Sequence, residues 1–252
     1  MTRVRKAAPN WSTVLDDLEG DAHASLSLRV HDALFEAILR GRIPPGSHLA
    51  EQPIADRLGV SRIAVREAVR ELSRGGLAEI VPNRGGFTAT FAPDDIEEIF
   101  SLRAALERIA VRLVAKDASR TDLARLEDVV DEMSDVESGH DRLAGARIDT
   151  TFHRILMEAS GHRRALHAWH AMSAQITMAV YNSTTYYQDI DGLASRHQGI
   201  VDTIRTGDPE AAEAFILDHI LDGGRLLLEA VRRDRLLDRS DEGPTTELEG
   251  TT

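Results

Sequence analysis

The stretch from residue 51 to residue 75 constrains the fold most, because it predicts two helices joined by a glycine turn. The first helix covers 51–58 and is followed by Gly59, while Ser61 can act as the N-cap of the second helix. A helix, a glycine turn and a second helix are typical of a helix-turn-helix motif, whose second helix lies in the major groove of DNA. We therefore predict a DNA-binding unit, with Ser61 at its contact surface.

The second helix carries arginine along one face. At about 100° per residue, its arginines form a stripe beside an apolar face, and these residues are Arg62, Arg66, Arg70 and Arg74. An ordinary exposed helix with Arg/Glu pairs four residues apart would also explain the stripe. The preceding turn favours an anion-binding surface, so we predict DNA contacts from Arg62, Arg66 and Arg70.

Residues 77–91 alternate apolar and polar side chains around a turn at 82–86, which predicts a β-hairpin. A hairpin after a helix-turn-helix is a wing. Its tip carries Asn83, Arg84 and Gly85, and we predict that they contact DNA. A helix over 26–40 precedes the motif and completes a winged helix-turn-helix of three helices at 25–91. Residues 1–24 show no sustained period and are expected to be a disordered tail.

Charge is distributed unevenly along the 252 residues. Residues 1–91 have a net charge of +1 and residues 92–252 have −13, so the acidic half should face away from DNA. The absence of cysteine excludes disulfides and thiolate metal sites. No apolar run approaches eighteen residues and no apolar segment follows the basic start, so we expect no membrane span and a cytoplasmic protein.

After residue 93 the periodicity is helical throughout. We predict a mainly α protein whose second domain, residues 94–237, is an all-α six-helix bundle, followed by a flexible tail at 238–252. The six predicted helices cover 94–116, 121–136, 141–160, 163–184, 188–206 and 209–237.

Four polar residues fall on bundle faces that should be apolar. Asp149 and His153 are one helical turn apart, and His197 and His219 lie on two later helices. One such histidine is usually a hydrogen-bonded core residue, but three of them with an aspartate favour a metal site. Nitrogen and oxygen ligands without thiolate suit zinc, nickel or manganese and leave coordination positions open.

A further polar pair, Arg103 and Glu107, lies in the middle of an apolar helix face. One interpretation is a buried ion pair within the helix. The other is that Arg103 binds the carboxylate of a ligand through its planar fork. Tyr181 and Asn182 are predicted to line the same cavity.

The segment GRIPPGSHLAEQPIADRLGVSRIAVREAVRELSRGGLAEIVPNRGGF resembles the DNA-binding domain of GntR-family transcriptional regulators. The resemblance implies DNA contacts from Arg62 and Arg66 and from the wing. Residues 94–232 resemble the FCD ligand-binding domain of the FadR subfamily, and Asp149, His153, His197 and His219 fall where its metal-binding members place their ligands. His162, His167 and His170 do not match. Six helices would place the chain nearer the VanR-like group.

These observations predict a ligand-responsive transcriptional regulator, most simply a repressor. A homodimer would bind a short palindromic operator in double-stranded DNA, and a small organic acid would bind at the metal and Arg103. Two alternatives stay open. The metal itself could be the signal, or the metal site could activate water in a hydrolase or isomerase.

Overall fold

The computed structural model describes residues 9–15, 25–117, 119–187 and 192–241. Within these ranges the chain is mainly helical, with a winged helix-turn-helix unit first and a helical bundle from Pro93 onward. Both predicted units are therefore present, in the predicted order. Of the helices in these ranges, none combines the length and the apolar content needed to cross a bilayer.

A short N-terminal helix corrects the prediction of a disordered tail. Helix α1 (Trp11–Val14) starts after Asn10, whose side chain caps its first turn. Trp11 and Leu15 are buried in the core of the winged unit. Four residues are too few to show periodicity, so the prediction for 1–24 is wrong at 9–15. Residues 1–8 and 16–24 lie outside the described ranges.

The helix-turn-helix forms as predicted. Helices α2 (Leu26–Leu39), α3 (Glu51–Leu58) and α4 (Arg62–Arg74) pack around a common core. Gly59 ends α3 in the left-handed region at φ +64°, a conformation that glycine adopts without strain. The Ser61 hydroxyl then accepts a hydrogen bond of 3.2 Å from the backbone N–H of Ala64, which satisfies one free donor of α4.

The wing is confirmed and contains one strand that was not predicted. Strands β2 (Ala78–Val81) and β3 (Gly85–Thr88) pair antiparallel as a hairpin. Strand β1 (His48–Leu49) joins the other edge of β3, which gives the order β1-β3-β2. A two-residue strand is too short for alternation to be visible in the sequence.

In the described part of the chain, seven helices form the bundle, not six. They are α5 (Pro93–Asp117), α6 (Arg120–Gly139), α7 (Arg142–Ala159), α8 (Arg163–His170), α9 (Ser173–Tyr187), α10 (Leu193–Arg205) and α11 (Pro209–Asp241). The predicted helix at 163–184 is two helices, because the backbone turns at Ala171 and Met172 without any glycine or proline. The helix count therefore no longer favours the VanR-like group.

Two predicted boundaries also move. Helix α10 begins at Leu193 after Gly192, and residues 188–191 lie outside the described ranges. Helix α11 continues to Asp241, past the predicted end at 237, and residues 242–252 of the predicted tail are not described.

Helix α5 forms the centre of the bundle. It runs antiparallel to α11, as the ion pairs Glu97–Arg232 and Arg108–Glu213 show, and it also packs against α7, α8 and α10. The bundle core is apolar, but Arg103, Glu107, Asp149, His153 and His197 are buried within the bundle. Burying charged and polar side chains is unfavourable unless they have partners, so these residues indicate a candidate functional site.

Candidate functional site

The four residues predicted as metal ligands come together from three helices. Asp149 and His153 lie on α7, His197 on α10 and His219 on α11. Each offers one ligand atom, and these atoms all lie within 4.8 Å of one another. We call these residues the ligand cluster. Asp149, His153 and His197 are buried, and His219 is partly buried.

The imidazole Nε2 atoms point toward the carboxylate. Asp149 Oδ1 is 3.2 Å from His197 Nε2 and 3.9 Å from His153 Nε2. His219 Nε2 lies 3.3 Å from His153 Nε2. Two unprotonated ring nitrogens at this distance would repel each other through their lone pairs. Either one of them carries a proton, or a cation lies between them.

The Nδ1 atoms of His197 and His153 are held by partners outside the ligand cluster. His197 Nδ1 donates a hydrogen bond of 2.7 Å to the carbonyl oxygen of Leu193, so in the neutral ring Nε2 bears the lone pair. This Nε2 is buried and has no hydrogen-bond partner in the described structure, because its lone pair and the Asp149 Oδ1 atom 3.2 Å away are both acceptors. His153 Nδ1 lies 2.5 Å from Glu107 Oε2, the carboxylate–histidine arrangement that orients ligands in metal sites. The residues present therefore fit a metal ion.

A second group, the support network, lies behind the cluster and consists of Arg103, Glu107 and Trp169. Glu107 Oε1 accepts hydrogen bonds from Arg103 Nε at 2.9 Å and from the Trp169 indole at 2.8 Å. Arg103 Nη2 lies 3.5 Å from Asp149 Oδ2. The structure therefore contains the buried ion pair between Arg103 and Glu107, which was one of the two interpretations. Trp169 was missed, although a buried indole N–H usually has a polar partner.

The electrostatics keep Glu107 and Asp149 ionised and lower the pKa of two of the three imidazoles, those of His153 and His219. Burial alone would raise the pKa of Glu107, but His153 and Arg103 lower it to about 2. Burial likewise opposes ionisation of Asp149, whose pKa Arg103 and His153 hold below its usual range. Burial lowers the pKa of His153, and burial together with the neighbouring His197 and His153 lowers that of His219. Neutral imidazole and ionised carboxylate are the forms that bind a cation.

The other predicted bundle residues are distributed as follows. Tyr181 and Asn182 are partly buried on α9, which packs against α7 and α11, and their effector contact stays a prediction. The His162 ring caps α8 by accepting a hydrogen bond of 3.1 Å from the Ala165 N–H. His167 and His170 are exposed on α8.

The outer side of α4 carries Arg62, Arg66, Arg70 and Arg74, and we call these four residues the arginine face. All four side chains are exposed, while Val65, Ala68 and Leu72 on the opposite face are buried. Two of these arginines share one partner that the sequence reasoning missed. Glu51 Oε1 and Oε2 accept hydrogen bonds from Arg66 Nε at 2.8 Å and Nη2 at 2.7 Å, and Arg62 Nη2 lies 3.4 Å from Oε2.

The wing tip presents the three predicted residues together. Asn83 and Gly85 both have positive φ, at 61° and 91°, which closes the hairpin and leaves Arg84 at its end. The Arg84 guanidinium lies 5.4 Å from the centre of the Phe87 ring. A cation on an exposed turn beside the arginine helix suits contact with a phosphate.

Comparison with known proteins identifies both domains. Residues 26–87 match the family "Bacterial regulatory proteins, gntR family", and residues 98–222 match the FCD domain. The "Probable D-xylose utilization operon transcriptional repressor" of Paenarthrobacter nicotinovorans is 34% identical over 78% of this chain and 86% of its own length. The galactonate operon transcriptional repressor of Escherichia coli is 26% identical over 80% of this chain and 96% of its own.

A solved structure shows the same arrangement. The GntR regulator of Rhodococcus sp. RHA1 superimposes with a TM-score of 0.66 at 26% identity, over 82% of this chain and 99% of that one. These relatives are transcriptional regulators, so the hydrolase or isomerase alternative is discarded. The chain belongs to the GntR family of bacterial transcriptional regulators, in the FadR-like subfamily that carries an FCD domain.

Proposed function

We propose that this regulator is a homodimeric repressor that binds a palindromic operator and releases or retains it in response to a small organic acid held at a divalent metal. The observation that carries the proposal is the ligand cluster, in which the buried Nε2 of His197 has no hydrogen-bond partner. Since such a protein acts on chromosomal DNA, we place it in the cytoplasm.

The DNA contacts come from α4 and the wing. We assign base contacts to Arg62 and Arg66 near the N-terminus of α4, and phosphate contacts to Ser61, Arg70 and the wing tip at Asn83, Arg84 and Gly85. Arginine is suited to guanine because its two parallel N–H groups match O6 and N7. The exposed arginine face and the close approach that the wing backbone allows support this assignment.

The ligand cluster would hold zinc, nickel or manganese through Asp149, His153, His197 and His219. A bound ion would act as a Lewis acid that holds an effector carboxylate. Metal ligation requires neutral imidazoles, and with the three rings in that form the charges of Asp149, Glu107 and Arg103 sum to −1, so the buried group lacks one positive charge. We assign effector contact to Arg103, Tyr181 and Asn182, and the position of Arg103 beside Asp149 supports its part.

A contact path joins this cluster to the DNA-binding domain. Thr150, next to Asp149 on α7, hydrogen-bonds Thr177 on α9 at 2.9 Å. Two residues before Thr177, the side chain of Gln175 lies against Gly76, just after α4, where an added Cβ would come within 2.3 Å of it. We infer that the occupancy of the cluster shifts α7 and α9 and thereby the position of α4.

The exposed side of α5 supports the dimer. Leu102, Ile109 and Leu113 lie on one face of this helix and are 52%, 42% and 41% exposed. A two-fold axis near the middle of α5 would pair Leu102 with the partner's Leu113 and Glu98 with the partner's Lys116, so apolar groups and opposite charges match. We expect Ile109→Asp to convert the dimer to a monomer in sedimentation, and Leu221→Asp, an equally exposed position on α11, to leave it dimeric.

The burial of the cluster also favours the alternative in which the metal is itself the signal. The two functions differ in one experiment. The operator is first selected by the full-length protein from a randomised duplex pool, and its affinity is then measured with metal alone and with metal plus a panel of organic acids. Effector sensing predicts a change only when an acid is added, while metal sensing predicts the full change with metal alone. If no motif is enriched from the pool, both proposals are contradicted.

A further inference from the structure

Glu51 occupies an unusual position for an acid in a DNA-binding motif. It is the first residue of α3, and its side chain does not cap that helix but crosses to the N-terminal half of α4. There it contacts Arg66 through two hydrogen bonds and Arg62 through one oxygen. A carboxylate on this surface would be repelled by DNA phosphates unless the neighbouring arginines compensated its charge. The trio of Glu51, Arg62 and Arg66 keeps a net charge of +1.

The atoms that Glu51 uses leave the rest of Arg66 available. A guanidinium carries five N–H groups. Glu51 occupies Nε–H and one hydrogen of Nη2, at 2.8 and 2.7 Å. The end of the fork, made by Nη1 and the second hydrogen of Nη2, is free of this contact. That end has the spacing of guanine O6 and N7 in the major groove.

The contact also restricts motion. The Arg66 side chain is 45% exposed, and an exposed arginine samples many rotamers unless something holds it. A two-point contact with a carboxylate fixes both the plane and the direction of the guanidinium. Hydrogen bonding to Arg66 lowers the pKa of Glu51, so the carboxylate stays ionised at neutral pH.

We propose that Glu51 is a positioning residue that holds Arg66 with the end of its fork toward the major groove, and thereby sets a preference for guanine at one operator position. The inference rests on the proposed DNA contact of Arg66. It differs from an autoinhibitory ion pair, which would have to open before DNA binds and would lower affinity for every sequence equally.

The test uses the full-length protein and a randomised duplex pool, from which wild type, Glu51→Ala, Arg66→Ala and the double variant each select sequences. The enriched operator and its single G-to-A variants are then titrated. We expect Glu51→Ala to lower the preference for guanine over adenine about tenfold at the one position where Arg66→Ala removes it. The double variant should resemble Arg66→Ala alone.

Glu71→Ala is the matched control, because Glu71 pairs with Arg74 at the other end of α4 and its removal changes the net charge equally. We expect it to leave the preference unchanged. Thermal unfolding checks that Glu51→Ala is folded, and Glu51→Gln provides a milder variant, since its single amide oxygen can accept from Nε or from Nη2 while its NH2 group cannot replace the second acceptor.

The outcomes separate the two levels of the proposal. If Arg66→Ala removes the guanine preference and folded Glu51 variants keep it, the positioning role is wrong while the DNA contact stands. If Glu51→Ala raises affinity for all duplexes equally without changing base preference, the pair is an autoinhibitory contact and the inference is overturned. If Arg66→Ala changes no base preference, the DNA contact itself fails and so does the inference.

Discussion

The arginine face and the ligand cluster use the same kinds of side chain in opposite environments. The arginine face and Glu51 lie within 24 positions of one another. The arginines are exposed and Glu51 is partly exposed, so water screens their ion pairs and each pair contributes little to folding. The cluster and its support network span residues 103–219 and are buried except for the partly buried His219, so each partner there is needed to compensate another. Substitutions in the arginine face should therefore change DNA binding and leave stability unchanged, whereas substitutions in the cluster and its support network should change both stability and ligand binding.

The largest effect is expected at Glu107. Glu107→Ala would leave Arg103, His153 and the Trp169 indole without their shared buried partner. Removing one member of a buried ion pair lowers the free energy of unfolding by about 3–5 kcal/mol, which urea denaturation measures. Glu213→Ala is the control, since it breaks contacts with Arg108 and Arg112 at the surface of the same helix pair. A similar loss in both variants would show that the two environments do not differ.

Glu107 also predicts how stability depends on acid. Folding lowers its pKa from 4.5 to about 2, so its contribution is complete above pH 4.5 and is lost as the pH falls through 4.5 toward 2. We expect wild type to lose stability across this window, and Glu107→Gln to show a flatter profile. Chemical denaturation at a series of pH values checks this. Parallel profiles for the two proteins would contradict it.

The arginine face should show the reverse behaviour. Arg66→Ala, and similarly Arg62→Ala, should weaken operator binding by about 5-fold to 150-fold while thermal unfolding stays unchanged. Gel-shift titrations measure the affinity, and Arg225→Ala on α11 controls for loss of an exposed charge. Unchanged affinity in both Arg62 and Arg66 variants would remove these residues from the operator contact.

The smallest effect is expected at the wing. Arg84→Ala should reduce affinity for all sequences to a similar degree and lower the salt slope of binding by about one. Titrations at several salt concentrations separate this from base recognition. A loss confined to one base position would show instead that Arg84 reads sequence.

The same contrast explains what could be predicted from the sequence. The helix-turn-helix depends on local signals, namely the glycine at 59, the cap at Ser61 and the period of α4, and all of them are visible within sixteen residues. The ligand cluster was predictable because polar residues interrupted apolar helix faces. The break between α8 and α9 was not, because tertiary packing around buried Trp169 and Met172 replaces the usual glycine or proline.

The proposed role of Glu51 and the place of Trp169 in the support network could not be predicted from the sequence, because both depend on tertiary contacts. Each is an ordinary residue in its own helix and acquires a role only through a partner on another: Glu51 through Arg66, and Trp169 through Glu107, 62 positions earlier. Periodicity reports which face a residue is on, but it does not report what lies across from that face.

The central claim, that the buried cluster is a metal site, is tested most directly by elemental analysis of tag-free protein. We predict close to one equivalent of zinc, nickel or manganese per chain, lost in His197→Ala and kept in His170→Ala, with the melting temperature rising when metal is returned to stripped wild type. Less than about a tenth of an equivalent of any transition metal, with no stabilisation on adding these ions, would contradict the claim and leave the histidines as core residues.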